Sequence, residues 1–517
     1  MPRSGQTILG AEDDLELFAI SFAVRATTTE LRILQMPHIP KPTDAKSVYL
    51  IGICGTAMAS LAGMLVDRGF NVTGSDEHVY PPMSTFLEQL GIPTFEGYTT
   101  ERLRTLRPDL VVIGNAISRS NPEAIETLEM DLAYTSMPEA IYSFFLQGSH
   151  SIVITGTHGK TTTASMMAWL LESAGRDPGM MVGGIPENFG QNFKLGNGGH
   201  FVIEGDEYNT AFFDRGPKFL HYRANTLLIN NIEFDHADIF DDLDSIVRAF
   251  RQVVEQMAPE GLIVANGDDE VVESLREHSP CEWLTIGFGT GCDVRISEFR
   301  EGTGGVEFSI DGQGERWGSF SAPLSGKHNV MNATADIAVA RRLGLDADEI
   351  RKGLTTFDGI KRRMEVRGVA RGITVVDDFA HHPTAVATTL EGARAKFPGA
   401  RLWVVFEPRS ISSARKEFEQ RYVEAFSRAD RVVIGPVFHR KRFETRYGIE
   451  KMMSVDGIVA DLRQTGVEAE YVEDFDAIAG LVATEGREGD VVIVMSSGSF
   501  GGLHETMLDR LSQERLR

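Results

Sequence analysis

The residues best suited to chemistry lie in Ser151-Ile-Val-Ile-Thr-Gly-Thr-His-Gly-Lys-Thr-Thr-Thr163. Gly156 and Gly159 allow a tight turn that presents backbone N–H groups, and a helix starting beyond them adds positive potential at its N-terminus. Lys160 supplies a mobile charge for a terminal phosphate, Thr161 a hydroxyl that can ligate Mg²⁺, and Thr162 a further polar group. Only Thr157 and His158 separate Gly156 from the Gly159-Lys160 pair, fewer than in the common P-loop. A plain strand-to-helix turn with a solvated lysine is the alternative. Strand, glycine loop and helix in this order favour a phosphate cradle.

Other polar groups cluster where apolar runs end. Phe201-Val-Ile-Glu-Gly-Asp-Glu207 closes on carboxylates, and Glu204 stands where a Mg²⁺ facing the Thr161 hydroxyl would find a second anchor. Thr226-Leu-Leu-Ile-Asn-Asn-Ile-Glu-Phe-Asp-His-Ala-Asp238 runs into Glu233, Asp235, His236 and Asp238, a set that suits either metal binding or an ordinary polar loop. Asn329 and Asn332 share a face in the first turn of an Ala-rich helix, where amides cap the helix or read an adenine edge. Gly359-Ile-Lys-Arg-Arg-Met-Glu-Val-Arg367 concentrates cations, and Asp377, Asp378, His381 and His382 end another strand. Arg409 and the loop Ser496-Ser-Gly-Ser-Phe-Gly-Gly502 sit at strand ends, where open α/β sheets bind ligands.

Positioning these groups requires strands that alternate with helices. From Ser47 to the helix at Asn121 the pattern is that of a doubly wound parallel sheet, with Gly52 and Gly55 in its first turn and Asp76 ending its second strand. Leu50 replaces the first glycine of a dinucleotide fingerprint, so a nucleotide diphosphate explains the turn as well as NAD does. The expected organisation is a linker or extension at 1–45, then units at 46–147, 148–357 and 358–517. The fold class is α/β: a Rossmann-like N-terminal domain, a central P-loop ATPase domain and a C-terminal doubly wound Rossmann-like domain.

A formal charge of −23 argues against a general nucleic-acid or anionic-membrane binder. No apolar run approaches a membrane span, and Leu15 to Val24 is a poor signal peptide. Cys54, Cys281 and Cys292 form neither a disulfide framework nor a zinc pattern and suit a reducing cytoplasm.

Taken together, these segments resemble the Mur ligases, ATP-dependent amide-forming enzymes of peptidoglycan synthesis. The resemblance spans residues 47 to 510, and Thr155-Gly-Thr-His-Gly-Lys-Thr-Thr162 is similar to the family's own short P-loop. It assigns ATP to Gly156 through Thr162 with His328, Asn329 and Asn332, and Mg²⁺ to Thr161, Glu204 and His236. Catalysis falls to Lys160 and His236, joined by Arg363 (or its neighbour Arg362), Asp378 and His382 from the third domain on domain closure. UDP-N-acetylmuramate is expected at Gly52, Gly55, Thr56, Ser75 and Asp76, and the acceptor at Arg409.

Within the family, Val72-Thr-Gly-Ser-Asp-Glu-His-Val-Tyr-Pro-Pro-Met-Ser-Thr85, Asp206-Glu-Tyr-Asn-Thr-Ala-Phe-Phe-Asp214 and Asp377-Asp-Phe-Ala-His-His-Pro383 resemble the branch that adds the tripeptide L-alanyl-γ-D-glutamyl-meso-diaminopimelate in murein recycling. The implied route is an acyl phosphate attacked by the peptide's amine. An L-alanine-adding ligase and a regulatory ATPase without ligation are the alternatives. Asn209, Gly205, Ser497, Ser499 and Ile411 depart from the family pattern; none is in the phosphate loop or among the expected metal residues, and a difference in detail is expected on the acceptor side.

Overall fold

In the computed structural model, residues 45–237 and 239–513 are described. The expected extension therefore lies outside the described residues except for Ala45, as does Asp238 of the acidic loop. Among the described residues, one compact unit comprises 45–140 with Thr210–Arg215, and the other Ile141–Asn209 with those from Gly216 on.

The first unit holds a five-stranded parallel sheet. Its order is Thr94–Glu96, Asn71–Asp76, Ser47–Ile51, Leu110–Ile113, Tyr134–Ser136, so the chain starts in the middle and winds outward both ways. Tyr49, Ile51, Val111 and Ile113 are buried with Leu103 and Ala124, which is why these runs read as continuous apolar strands. The helix expected from Asn121 is Pro122–Glu129, with Asn121 as its N-cap accepting from the Glu123 and Ala124 amides. This division differs from the expected units: the first ends at Ala140 and not at 147, and the residues expected as a central and a third unit cluster together. The segment 210–215, expected in the central unit, belongs to the first, because Phe212 and Phe213 pack on its core and Phe213 meets Tyr134 edge-on at 5.3 Å.

The second unit carries two sheets. The larger has ten strands, in which Gly179–Met181, His200–Glu204, His150–Thr155, Thr226–Ile229, Leu262–Asn266 and Glu282–Gly287 run parallel. A hairpin of Val294–Gly302 and Gly305–Gly312, whose residues alternate in polarity, extends this sheet and is joined by a third strand, Glu315–Ala322. The register Thr155↔Ile229 and Ile154↔Glu204 brings three strand ends together at one edge. The smaller sheet has six strands in the order Glu365–Ala370, Ile373–Asp378, Val491–Met495, Leu402–Phe406, Arg431–Ile434, Glu468–Tyr471. All pairs but the first are parallel.

One buried group runs against its surroundings. Asp336, inside the helix Lys327–Arg342, is fully buried, and no protein group hydrogen-bonds either carboxyl oxygen. Burial with no charged neighbour to offset it pushes its ionisation well above the usual carboxylate range. The folded state therefore keeps a proton that the unfolded chain releases, so stability falls as pH rises from the unfolded value toward the folded one, by about 1.4 kcal/mol per pH unit. Asp336→Ala is expected to stabilise the unit by about 1–3 kcal/mol. Urea unfolding at about pH 5 and about pH 8 should show that advantage growing with pH; a pH-independent difference would refute the assignment.

Candidate functional site

The strand His150–Thr155 delivers the chain into Gly156 (φ 131°) and Gly159 (φ 83°), both in backbone regions that disfavour a side chain. Space demands glycine as well: a Cβ at Gly159 would lie 2.9 Å from the Asn332 amide and 3.0 Å from that of Asn230. The helix Lys160–Ser173 follows with no side-chain cap, which leaves its first amides open to an anion. Asn230 and Asn231, at the end of the neighbouring strand, brace the loop. Asn231 accepts from the His158 amide at 2.8 Å and its carbonyl accepts from the Thr157 amide, while Asn230 donates to Thr163. The sequence presented these two asparagines only as part of a strand end.

Lys160 curls over the loop, donating to the Gly156 carbonyl at 2.5 Å and pairing with Glu207 at 3.1 Å. Burial would depress its ammonium, but Glu207, with Asp206 and Glu204 behind it, outweighs burial and holds it above the usual value. Glu207 is the residue that sequence reading passed over. Burial raises it, yet Lys160 and His236 together bring it down to about 2. The available signal was the third carboxylate in Glu204-Gly-Asp-Glu207.

Thr161 and Glu204 are brought together as expected: the threonine hydroxyl donates to the carboxylate at 3.2 Å. Burial raises Glu204 despite the opposing pull of the Gly183 amide and Lys160. A hydroxyl and a buried carboxylate side by side make a hard-oxygen donor set that fits Mg²⁺. His236 is placed differently. Its Nε2 lies 2.9 Å from Glu207, and that carboxylate and Asp235 overcome burial to keep the imidazole protonated more readily than usual. In this arrangement the residue expected as a metal ligand stands against the Glu207 carboxylate. Its backbone is left-handed (φ 54°), an uncommon conformation for histidine.

The third-domain residues reach this site through a pairing that the sequence did not announce. Lys361 donates from its amide to the Ile185 carbonyl, Glu187 to that of Gly359, and Pro186 bridges Ile360. This sets Arg363 beside the phosphate loop. Burial draws its guanidinium below the usual range while Asp378 and Glu204 pull the other way, and its charge helps to depress the half-buried His328 to about 4. Arg362 faces the opposite direction, donating to the Ser496 carbonyl at 2.8 Å and to that of Gly498.

The partners of Asp378 and His382 define how each is held. The Asp378 carboxyl accepts from the amides of Met364 and Ala380 and from the Thr389 hydroxyl, which fixes it at the Arg363 turn. His382 is buried and caps the helix Pro383–Lys396, its Nδ1 accepting from the Thr384 amide at 3.3 Å. A ring whose Nδ1 accepts carries its proton on Nε2, which makes His382 a donor and not a base. That Nε2 and the His158 Nε2 are both buried without a protein hydrogen-bond partner, the rings 4.8 Å apart, and Glu233 lies 3.8 Å from His158 Nε2. With Glu233 they form a trio whose ligand atoms lie within 4.8 Å, but the same tautomer argues against an ion there. Asn329 donates to the Ser325 carbonyl, at a helix start that no side chain caps, and receives a bond from Asn332, which abuts Gly159.

In the first unit the glycine turn is built as expected from Gly52 (φ 86°). The Ser75 carbonyl accepts from the Gly52 and Ile53 amides, and the Asp76 carboxylate from that of Cys54 at 2.9 Å. Gly55 and Thr56 are exposed at the start of the uncapped helix Thr56–Asp67. The Ser75 hydroxyl, by contrast, is fully buried and donates to Glu123, which withdraws it from any ligand. Arg409 lies at the carboxyl edge of the six-stranded sheet, against Glu407 and stacked 3.7 Å over Phe438.

The chain matches three family models: the Mur ligase family catalytic domain over 47–147, the Mur ligase middle domain over 154–340, and the Mur ligase glutamate ligase domain over 362–498. The UDP-N-acetylmuramate–L-alanyl-γ-D-glutamyl-meso-2,6-diaminoheptandioate ligase of Escherichia coli (strain K12) is 38% identical over 90% of this chain and 98% of its own length. A UDP-N-acetylmuramate–L-alanine ligase of Desulforamulus reducens is 32% identical over 91% and 98%. Among solved structures, a murein peptide ligase from Psychrobacter arcticus is 34% identical, with a TM-score of 0.69 over 90% of this chain and 99% of that one. Three consecutive domain matches and near-complete relatives at this identity agree with the phosphate loop and its third-domain arginine: the chain belongs to the Mur ligase family.

Proposed function

We propose that this chain joins the lactyl carboxylate of UDP-N-acetylmuramate to the amino group of L-alanyl-γ-D-glutamyl-meso-2,6-diaminoheptandioate in an amide synthesis driven by ATP. The observation that carries the reading is the 38% identity over 98% of the curated E. coli tripeptide ligase, set against 32% for the alanine-adding relative. The carboxylate oxygen attacks the γ-phosphorus and ADP leaves; the amine then attacks the acyl carbon, phosphate leaves, and one proton is lost. Two anions must meet in the first step, so neutralising charge is the main catalytic demand.

Lys160 and the open amides of Gly159 to Thr161 bear on the phosphates, and Arg363 brings a second cation from the third domain. Thr161 and Glu204 would hold Mg²⁺, which would supply Lewis-acid neutralisation of the phosphate oxygens. His382 Nε2 offers a buried donor to the nucleotide, and Gly55 and Thr56 offer helix-start amides to the diphosphate of the UDP-sugar. A nucleotide-linked sugar as substrate, free cysteines and no described helix able to cross a membrane suit work in the cytoplasm.

With ATP, Mg²⁺ and UDP-N-acetylmuramate, phosphate release is expected with the tripeptide and not with free L-alanine. Release with alanine alone selects the alanine-adding ligase. Release independent of either acceptor selects an ATPase without ligation.

A further inference from the structure

The acidic chain carries an unabsorbed basic stretch, Phe438-His-Arg-Lys-Arg-Phe-Glu-Thr-Arg-Tyr447. It forms the helix Arg440–Tyr447, entered from the loop after the strand Arg431–Ile434. Arg440, Lys441 and Arg442 are exposed. Arg440 pairs with Glu444, whereas among the described residues no acidic group pairs with Lys441 or Arg442.

The helix is fixed to the Arg409 loop. Phe443 is buried in a small cluster with Ile411 and Ala414, which directly follow that loop. Ile411, which sequence reading could mark only as a departure from the family pattern, is thus the packing partner that seats the basic helix. Phe438 is 47% exposed and holds the Arg409 guanidinium on its face, which orients the planar fork. Burial lowers the His439 imidazole, and Arg442 and Arg409 lower it further against Glu407, so both cations are within electrostatic reach of one ring. A Cβ at Gly498 would run into the Arg409 guanidinium, so the small-residue loop 496–499 leaves room for that side chain.

The patch is tied to the phosphate loop by two adjacent residues. Arg363 answers to Glu204, and Arg362 donates to the carbonyls of Ser496 and Gly498, beside Arg409. Strands Leu402–Phe406, Arg431–Ile434 and Val491–Met495 are parallel neighbours, so all three loops leave the same carboxyl edge. A peptide whose amine stands at the phosphate end carries its later carboxylates roughly 3.3–3.6 Å further per extended residue. A single alanine carries none beyond its own.

Resting on the ligase reading above, we propose that Arg409, Lys441 and Arg442 form an anion subsite for the distal carboxylates of the peptide acceptor, and so select a peptide over a free amino acid. Guanidinium forks suit planar carboxylates, and Lys441 adds a point charge at the rim.

The test is steady-state kinetics of the full chain with ATP, Mg²⁺ and UDP-N-acetylmuramate, comparing the parent with the double variant Lys441→Ala/Arg442→Ala. Both residues are exposed, and equal melting temperatures establish that the fold is kept. The variant is expected to raise KM for the tripeptide about ten- to hundredfold, with a smaller change in kcat, and to leave KM for ATP within about twofold. Added salt should raise the parent's tripeptide KM more than the variant's, because exposed charges are screened. Arg442→Lys, which keeps the charge, should recover part of the loss. An unchanged tripeptide KM in a folded, active double variant overturns the subsite while the ligase reading stands. A parent that is active with L-alanine and inactive with tripeptide overturns that reading, and the subsite with it.

Discussion

Lys160→Ala is expected to lower acceptor-dependent phosphate release about a thousandfold or more, with the protein still folded. The argument rests on what the ammonium touches and what it would leave behind. Its side chain is 16% exposed and lies against the carbonyls of its own loop, with Glu207 as counter-charge. A phosphate entering the loop meets that ammonium over the Gly156 and Thr157 carbonyls. Removal of the lysine does not strand Glu207, because His236 stays 2.9 Å away and favours its protonated form. A buried carboxylate with one of two cationic partners remaining loses about 1–2 kcal/mol, not the larger sum of an orphaned charge. Circular dichroism and melting of the variant should therefore remain close to the parent while turnover collapses. Activity within tenfold of the parent would remove the lysine from the chemistry. Glu207→Gln makes the complementary case, since it releases both Lys160 and His236 while leaving the phosphate ligand in place.

Much of this site was legible because its signals are local. Gly156, Gly159, Lys160 and Thr161 are consecutive or nearly so, and the helix after them is announced by spacing alone. Glu204 was reachable because strand ends gather at one edge of a parallel sheet, and the register Ile154↔Glu204 is that rule at work. What escaped depends on pairs far apart in sequence. Glu207 as the partner of Lys160 and His236, the Ile185–Lys361 contact that sets Arg363, and the strand Glu315–Ala322 all need the fold before they mean anything. How Asp378 and His382 are held was hidden for the same reason: their hydrogen-bond partners at Met364, Ala380 and Thr384 decide what their polar atoms can do. Composition and spacing say that a carboxylate or an imidazole is present; only its partners say whether it is free.

The first unit gives the second large effect. Glu123→Ala is expected to cost about 3–5 kcal/mol of stability and to weaken the donor turn at the same time. Glu123 is fully buried and accepts from the Tyr49 hydroxyl at 3.1 Å, the Thr99 amide at 3.0 Å, the Ser75 hydroxyl, and Arg102 at 2.6 Å. Burial pushes the Tyr49 phenol up to about 12, so it remains a neutral donor throughout the working pH range. Truncation at 123 would leave Arg102, only 15% exposed, without its counter-charge, and three further donors without an acceptor. Glu123→Gln keeps the shape and an acceptor oxygen but not the charge, so a loss of about 1–3 kcal/mol separates ion pair from packing. The consequence for function runs through Ser75. Its hydroxyl is held by Glu123 while its carbonyl holds the Gly52 and Ile53 amides, so loosening one end loosens the turn that would receive UDP-N-acetylmuramate. KM for the UDP-sugar should rise in Glu123→Gln with KM for ATP unchanged. If both constants stay at the parent's values in a destabilised variant, Glu123 serves the fold alone, and the donor turn is held by Asp76 and Gly52 without it.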